Sequence, residues 1–252
     1  VSVDISICLP SIRTRNLKRL YKSLLDAVGK YSFELIVASP YDLPSELLTA
    51  HVRLVKDFGC PTRCLQLAAK HSKGDLLTTA SDDGVFEKNS ISKSIEFYEK
   101  HCTDKDAVVM RYTETPGLLM HSKVHSDDRY WNSYYHPTLR LKGISTVNKW
   151  GPLLMKTDFF KEIGGFDCVF EHYNYCLHDL CYRMQQNGSQ LFLSPSFVMH
   201  CDWNPNEAEY QPVKAVAATD YSIFKKMYKR PNNRYKIYFD NWKNVPAKWG
   251  RF

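Results

Sequence analysis

Apolar residues recur along this chain in two alternating periods. Residues 3–9 (VDISICL) form a short β-rich run that Pro10-Ser11 closes. Leu17, Leu20, Tyr21, Leu24, Leu25 and Val28 then follow at helical spacing, and Gly29 ends that run. Residues 33–38 (FELIVA) read as a buried strand closed by Ser39-Pro40, and residues 52–55 as a weaker one. Pro61 opens a helix reaching about His71, with Leu65, Ala68 and Ala69 inward. Residues 75–79 predict the next strand, residues 89–102 a helix striped by Ile91, Ile95, Tyr98 and Cys102, and residues 107–111 (AVVMR) another strand.

Periodicity fades between residues 112 and 148, where Tyr130, Trp131, Tyr134, Tyr135 and His136 cluster. A long irregular stretch inside a compact domain is commonly functional. Regular structure returns at 150–155. Helices are predicted near 158–163, stopped by Gly164-Gly165, and around 178–187, stopped by Gly188. Residues 190–193 and 197–200 read as two short strands. Strands alternating with helices over short connections predict an α/β fold with a mostly parallel central sheet flanked by helices. Ligands in such sheets bind beyond the carboxyl ends of the strands, the edge shared by Pro10-Ser11-Ile12-Arg13, Ser39 and Asp82-Asp83.

The 252 residues allow one large core or two small ones, and 44% are hydrophobic. No apolar run approaches the roughly 20 residues of a membrane span, and no signal peptide is visible. The eight cysteines show no Cys-x-x-Cys spacing and fall within apolar segments, so they read as reduced core thiols of a cytoplasmic protein. Of the formal charge of +7, most lies at the end: residues 229–252 hold seven Lys and Arg against Asp240 alone. The near-neutral remainder argues against a nucleic-acid-binding body. The basic aromatic end segment, with Tyr228, Tyr235, Tyr238, Trp242, Trp249 and Phe252, suits either peripheral contact with an anionic membrane or packing against the rest of the chain.

Residues 74–84 (GDLLTTASDDG) carry the sharpest chemical signal. A strand that delivers two adjacent carboxylates at its carboxyl end offers hard oxygen ligands to Mg²⁺ or Mn²⁺, and such a cation holds phosphate.

Four segments, in order, resemble the family 2 glycosyltransferases of the GT-A fold. They are the opening strand with Pro10-Ser11-Ile12-Arg13, Gly74-Asp75 through Ser81-Asp82-Asp83, Ile163-Gly164-Gly165-Phe166-Asp167, and Asp179-Leu180-Cys181-Tyr182-Arg183 followed by Gly188. They span residues 3 to about 200. The resemblance implies a catalytic domain over 1–202, with a nucleotide-binding half (1–111) and an acceptor half (112–202), followed by a basic aromatic extension over 203–252. It implies metal-dependent transfer of a sugar from a nucleoside diphosphate to a glycan or lipid-linked acceptor, as in polysaccharide biosynthesis. Asp83 would be the direct ligand of Mn²⁺ or Mg²⁺, with His200 as a late histidine ligand. Pro10, Ser11, Arg13, Ser39, Arg63 and Asp82 would hold the donor, and Trp131, Tyr135 and Trp150 the acceptor.

The general base of an inverting transfer is less direct, since Leu177 stands where the family has its acid. Asp179, opening the last helix, is the expected base, with His178 and Glu171 as alternatives. Two other classes stay open: a nucleotidyltransferase that makes the sugar nucleotide, and a non-catalytic binding relative. Pro10-Ser11-Ile12-Arg13-Thr14 lacks the glycines of the former, and Asp82-Asp83 argues against the latter.

Overall fold

The opening run forms β1 (Val3–Pro10), and Ile5, Ile7, Cys8 and Leu9 on its two faces are fully buried. The structure is a computed structural model that describes residues 2–114, 151–201, 211–228 and 236–251. β2 (Phe33–Ser39) and β4 (Gly74–Thr79) pair parallel with β1 on either side, and β3 (Val52–Lys56) continues beyond β2. Strands covered on both faces are written as unbroken apolar runs, which is why these segments do not alternate. β5 (Gly84–Phe86), β6 (Ala107–Glu114), β7 (Leu153–Lys156) and β8 (Leu191–Cys201) complete an eight-stranded sheet of order 3-2-1-4-7-6-8-5. β7 is antiparallel to β4 and β6, β5 is antiparallel to β8, and the other neighbours are parallel.

Two local features follow from side-chain space. A Cβ on Gly74 would lie 2.5 Å from the backbone nitrogen of Ser6, so only glycine allows β4 to start so close to β1. Ser6, a buried polar residue within β1, is satisfied there: its Oγ accepts from the Gly74 amide (2.8 Å) and donates to Glu34 (2.6 Å).

The helices are α1 (Leu17–Ala27), α2 (Pro61–Lys70), α3 (Ser90–His101), α4 (Thr157–Glu162), α5 (Tyr173–Gln186) and α6 (Gln211–Met227). α1 buries Leu17, Leu20, Leu24 and Ala27, the expected stripe, and Gly29 stops it with φ +60°. α2 is buried from Thr62 to Ala69 because its outer side is covered as well. The cover is the segment 236–251, which includes a 3₁₀ turn, Phe239–Asn244. Gln66 on α2 donates to the carbonyls of Gly164 (2.9 Å) and Phe239 (2.8 Å) and accepts from the Phe166 amide (2.8 Å). Asn241 accepts from the Cys168 amide (2.9 Å) and donates to the Phe166 carbonyl (3.0 Å). The terminal segment is thus packed on the α/β body. Among the described residues no helix is long and apolar enough to cross a membrane.

Four elements differ from the sequence expectation, and one is α6 itself, a helix lying where the sequence analysis expected only a basic aromatic extension over 203–252. The two short strands expected near 190–200 are one strand, β8, whose register against β6 shifts on either side of Arg111. Pro195 has no amide to give the ladder. Ser194 fills the gap by accepting from the Arg111 amide (3.0 Å) and donating to the Ser196 carbonyl (2.7 Å), so the break is a bulge. β5 was too short to read from its pattern. α5 begins at Tyr173, about five residues before its expected start, with His172 as the N-cap accepting from the Asn174 amide (3.1 Å). All eight cysteines are free thiols, and burial pushes the Cys60 thiol up to about 11 and the Cys181 thiol up to about 12, so both remain protonated near neutrality.

The early start of α5 places Asp179 in the helix interior, four residues before Arg183, and both side chains are fully enclosed. Arg183 Nε donates to Asp179 at 2.8 Å, and Nη1 donates to the Ile163 carbonyl at 2.7 Å. Its Nη2 reaches the Gly165 carbonyl, and the Tyr228 hydroxyl donates to the second carboxylate oxygen. One buried ion pair therefore ties α5 to the Gly164-Gly165 turn and to the end of α6. Removing one partner leaves an uncompensated buried charge, so Arg183→Met is expected to lower stability by about 3–5 kcal/mol in urea denaturation. The double variant Arg183→Met/Asp179→Leu should recover part of that loss, and a loss no smaller than the single variant's would show that the charge pair is not the cause.

Candidate functional site

The parallel pairing of β1 with β2 and with β4 continues one step past the strands, the Ser11 amide donating to the Ala38 carbonyl of β2 (3.0 Å) and the Ala80 amide after β4 to the Cys8 carbonyl (3.0 Å). The chains then turn away at Pro10-Ser11 and at Ala80-Ser81, leaving a cleft of about 350 Å³ at the carboxyl ends of the strands. Asp82 and Asp83 line it, although each is only 4% exposed.

Both carboxylates are held from the β1 side. Asp82 Oδ2 accepts from Ser11 Oγ (3.0 Å) and from the Arg13 amide (3.1 Å), while its Oδ1 accepts from both Arg13 Nε (2.9 Å) and Arg13 Nη2. The same Nη2 lies 3.3 Å from Asp83 Oδ2. Ser81 Oγ donates to Asp83 Oδ1, and Arg19 donates to the Asp83 carbonyl at 3.2 Å. Gly84 closes the turn: its amide donates to the Ser81 carbonyl (2.9 Å), and a Cβ there would meet Met199 Sδ at 2.5 Å. Burial raises the Asp83 carboxyl above its ordinary range, while the Arg13 guanidinium and Ser81 work in the opposite sense.

Pro10, Ser11, Arg13, Asp82 and Asp83 are therefore brought together in one cleft. Arg13, expected to meet a phosphate or base, is engaged with the two acids. The remaining candidates do not meet there. Ser39 is buried, and its Oγ accepts from the Tyr41 amide (3.0 Å), so it shapes the turn that carries Tyr41 into the cleft. Arg63 turns from the cleft to Asp57 (Nε to Oδ1 3.1 Å, Nη2 to Oδ2 3.0 Å) and to the carbonyls of Trp242 and Val245 (3.2 Å for the latter). It locks the terminal segment rather than a ligand.

His200 lies one position from Met199 and Cys201, which line the cleft, so strand alternation sends its side chain the other way. There it pairs with Glu87 and stays 46% exposed. Asp179, expected as base, is enclosed in its ion pair with Arg183 and does not line the cleft. A carboxylate with no access to an acceptor hydroxyl cannot deprotonate it, so that assignment is corrected. His178 is likewise buried within α5, beside Tyr175. Glu171 accepts from Trp249 Nε1 (3.2 Å) and Arg251 Nε (2.9 Å) and is not part of the cleft lining. Trp131, Tyr135 and Trp150 lie outside the described residues.

A divalent cation fits the donor chemistry at one corner. Asp82 and Asp83 present hard oxygens, and Mg²⁺ or Mn²⁺ commonly takes one or two carboxylates with the rest of its shell from water and substrate phosphate. Among the described residues no group of three His, Cys, Asp or Glu forms a self-sufficient cage. Any cation held here would complete its shell with water and with oxygens of a bound ligand.

The structure adds residues that the sequence did not single out. Tyr41 and Phe58, 56% and 55% exposed, bring two aromatic rings to the lining from the ends of β2 and β3. Phe58 lies two residues past the end of β3, on the strand-end edge where ligands gather, and the weak apolar pattern of residues 52–55 is the one sequence signal that points there. Tyr173 joins β4 to α5 through a 2.8 Å hydrogen bond with Thr79. His172, at the head of α5, lines the cleft. Burial lowers its pKa to about 4, so it is a neutral imidazole near pH 7. Asp220 on α6 accepts from the amides of Glu171 (3.1 Å) and His172 (2.8 Å), and burial raises its carboxyl to about 6.

No family model matches the chain, and no curated protein matches it in sequence. Solved structures do share its fold. S. aureus TarS residues 1–349 in complex with UDP superposes with a TM-score of 0.58 at 14% identity, over 86% of this chain and 65% of that one. The complex of the same fragment with UDP-GlcNAc gives 0.56 at 13% identity, over 83% and 61%. The longer TarS structure gives 0.57 at 15% identity, and this chain spans only 39% of it. The fold is thus a Rossmann-like GT-A α/β sandwich, as the four motifs implied.

His172 and Asp220 carry opposite pH dependences. Unfolded, His172 titrates near 6.5 and takes up protons that the folded chain refuses until about pH 4, so its contribution to stability is lost as pH falls through that window. Asp220 holds its proton up to about pH 6 when folded, against 3.8 otherwise, so its contribution is lost as pH rises through that range. His172→Asn keeps an N-cap acceptor and removes the titration. Its melting temperature should fall less than the wild type's between pH 6.5 and pH 4, by an amount worth about 3 kcal/mol at most. Equal losses in the two proteins would remove His172 from this account.

Proposed function

We propose that this chain is a glycosyltransferase that binds a nucleoside diphosphate sugar in the cleft beyond β1 and β4 and moves the sugar to a glycan or lipid-linked acceptor. One observation carries the reading: two buried carboxylates, held by Ser11 and Arg13, face a cleft at the strand ends. The support beside it is a fold shared with TarS, which has been crystallised with UDP and with UDP-GlcNAc.

The chemistry follows from the charges. Breaking the bond between sugar and diphosphate leaves negative charge on the leaving phosphate, which must be stabilised as it develops. A Mn²⁺ or Mg²⁺ ion bound with the donor supplies Lewis-acid stabilisation of that leaving group, and Asp83 with Asp82 would hold it. Ser11 and the Arg13 amide fix Asp82, so the acidic corner is set before the donor arrives. Arg13 balances part of the acidic charge in the absence of ligand, which lowers the cost of keeping two carboxylates buried side by side. Tyr41 and Phe58 offer apolar faces to the flat part of a nucleoside, and neutral His172 offers an imidazole to a sugar hydroxyl or to the acceptor.

The direct test is a thermal-shift series with UDP, GDP, CDP and dTDP and their sugars, with and without Mn²⁺. A ligand at a hundredfold its Kd adds about 2.7 kcal/mol, roughly 5 °C or more for a domain of this size. One nucleotide family should stand out, with an added shift from Mn²⁺ that disappears in Asp83→Asn. Mn²⁺-dependent hydrolysis of the matching sugar nucleotide should drop at least about 100-fold in the same variant. A chain that no nucleotide stabilises, or an Asp83→Asn protein that hydrolyses the donor at the wild-type rate, would overturn the proposal.

A further inference from the structure

The terminal segment forms one wall of the cleft, and that wall carries a cation. Lys248 forms a parallel β-bridge with Phe58, and the next amide, that of Trp249, donates to the Phe58 carbonyl at 2.6 Å. These residues act as a short extra rung beyond the end of β3. The rung is fastened on both sides. The Trp249 ring is 5% exposed and packs on Cys60, and its Nε1 donates to Glu171, which also accepts from Arg251. Upstream, Arg63 and Gln66 hold the carbonyls of Trp242, Val245 and Phe239. Lys248 lines the cleft and is exposed, and among the described residues it forms no ion pair.

Charge balance gives this lysine a role. The formally charged groups among the described lining residues are Asp82, Asp83, Arg13 and Lys248, with His172 neutral. Arg13 is already engaged by both acids. Lys248 is therefore the cation of the lining that a ligand phosphate can take without breaking an existing ion pair. Counting side chains alone, before any metal ion, the described lining is formally neutral with it and carries one net negative charge without it, which disfavours a diphosphate.

We infer that Lys248 is a phosphate-contacting residue of the donor site, and that the terminal segment is a working part of that site. The inference rests on the nucleotide-sugar reading above and deepens it. Lys248 acts as a mobile point charge on an exposed stem, so it serves the anionic diphosphate rather than the base. Its effect appears in binding of phosphorylated ligands and disappears in binding of the bare nucleoside.

The test uses the full chain and whichever of UDP, GDP, CDP or dTDP binds, together with the matching nucleoside, followed by titration calorimetry at two salt concentrations. Lys248→Ala should weaken nucleoside diphosphate binding about tenfold at low salt, less at high salt, and leave nucleoside binding unchanged. Lys248→Arg should recover most of the loss. Lys243→Ala, which removes an equal charge from the same segment where it pairs with Asp240 outside the cleft, should bind within about twofold of wild type. Unchanged affinity in Lys248→Ala, or equal loss of diphosphate and nucleoside, overturns the assignment of Lys248 alone. A wild-type chain that binds none of the four nucleotides overturns the donor-site reading and this inference together.

Discussion

The contact between Arg13 and the two acids beyond β4 is the constraint on which the site depends. Two carboxylates on adjacent residues, each nearly enclosed, repel one another, and burial already raises the carboxyl of Asp83. One guanidinium, supplied by the loop that follows β1, spans both. The ion pair thereby joins two neighbouring strands at the level where their main-chain pairing stops. It also places charge of both signs in the cleft before any ligand enters, an arrangement that needs little reorganisation when another charged group arrives.

A second constraint sits behind the cleft, in how the chain's final elements are attached. Arg183, Gln66 and Arg63 each reach carbonyl groups from distant parts of the sequence, and each is buried or nearly so. Backbone acceptors in turns have no ladder to satisfy them, so long polar side chains reaching from helices take that role. The cost of burying two arginines is met by Asp179 and Asp57. Residues that read from the sequence as chemistry are here the fastening of the fold, and the freedom of the cleft lining rests on them.

Much of the architecture was legible. The continuous apolar runs at 3–9 and 33–38, the stripe in α1 and the proline that opens α2 all state their element directly, and the strand-end rule placed Pro10, Ser11, Arg13, Asp82 and Asp83 on one edge. What escaped was non-local or locally ambiguous. Tyr173–Cys176 carries no clear helical stripe, because its helix is capped by an imidazole and packed by aromatic rings, so the sequence pattern puts Asp179 at a helix start where the fold makes it an interior partner of Arg183. Arg63 at the first turn of a helix looks the same in sequence whether it meets an anion or Asp57. The docking of Lys248 and Trp249 beside Phe58 joins residues about 190 positions apart, and no local pattern encodes such a pairing.

That long-range rung has a bearing on how the protein matures. Strands β1 to β4 can begin to pair once residues up to about 79 have left the ribosome, since their neighbours in the sheet are also close in sequence. The last wall of the cleft waits for residues 248 and 249, so a nascent chain passes through a stage with a formed sheet and an open-sided pocket whose aromatic lining faces water. In the interval between those two events the Phe58 main chain stands as an uncovered strand edge, the kind of surface through which chains pair with one another.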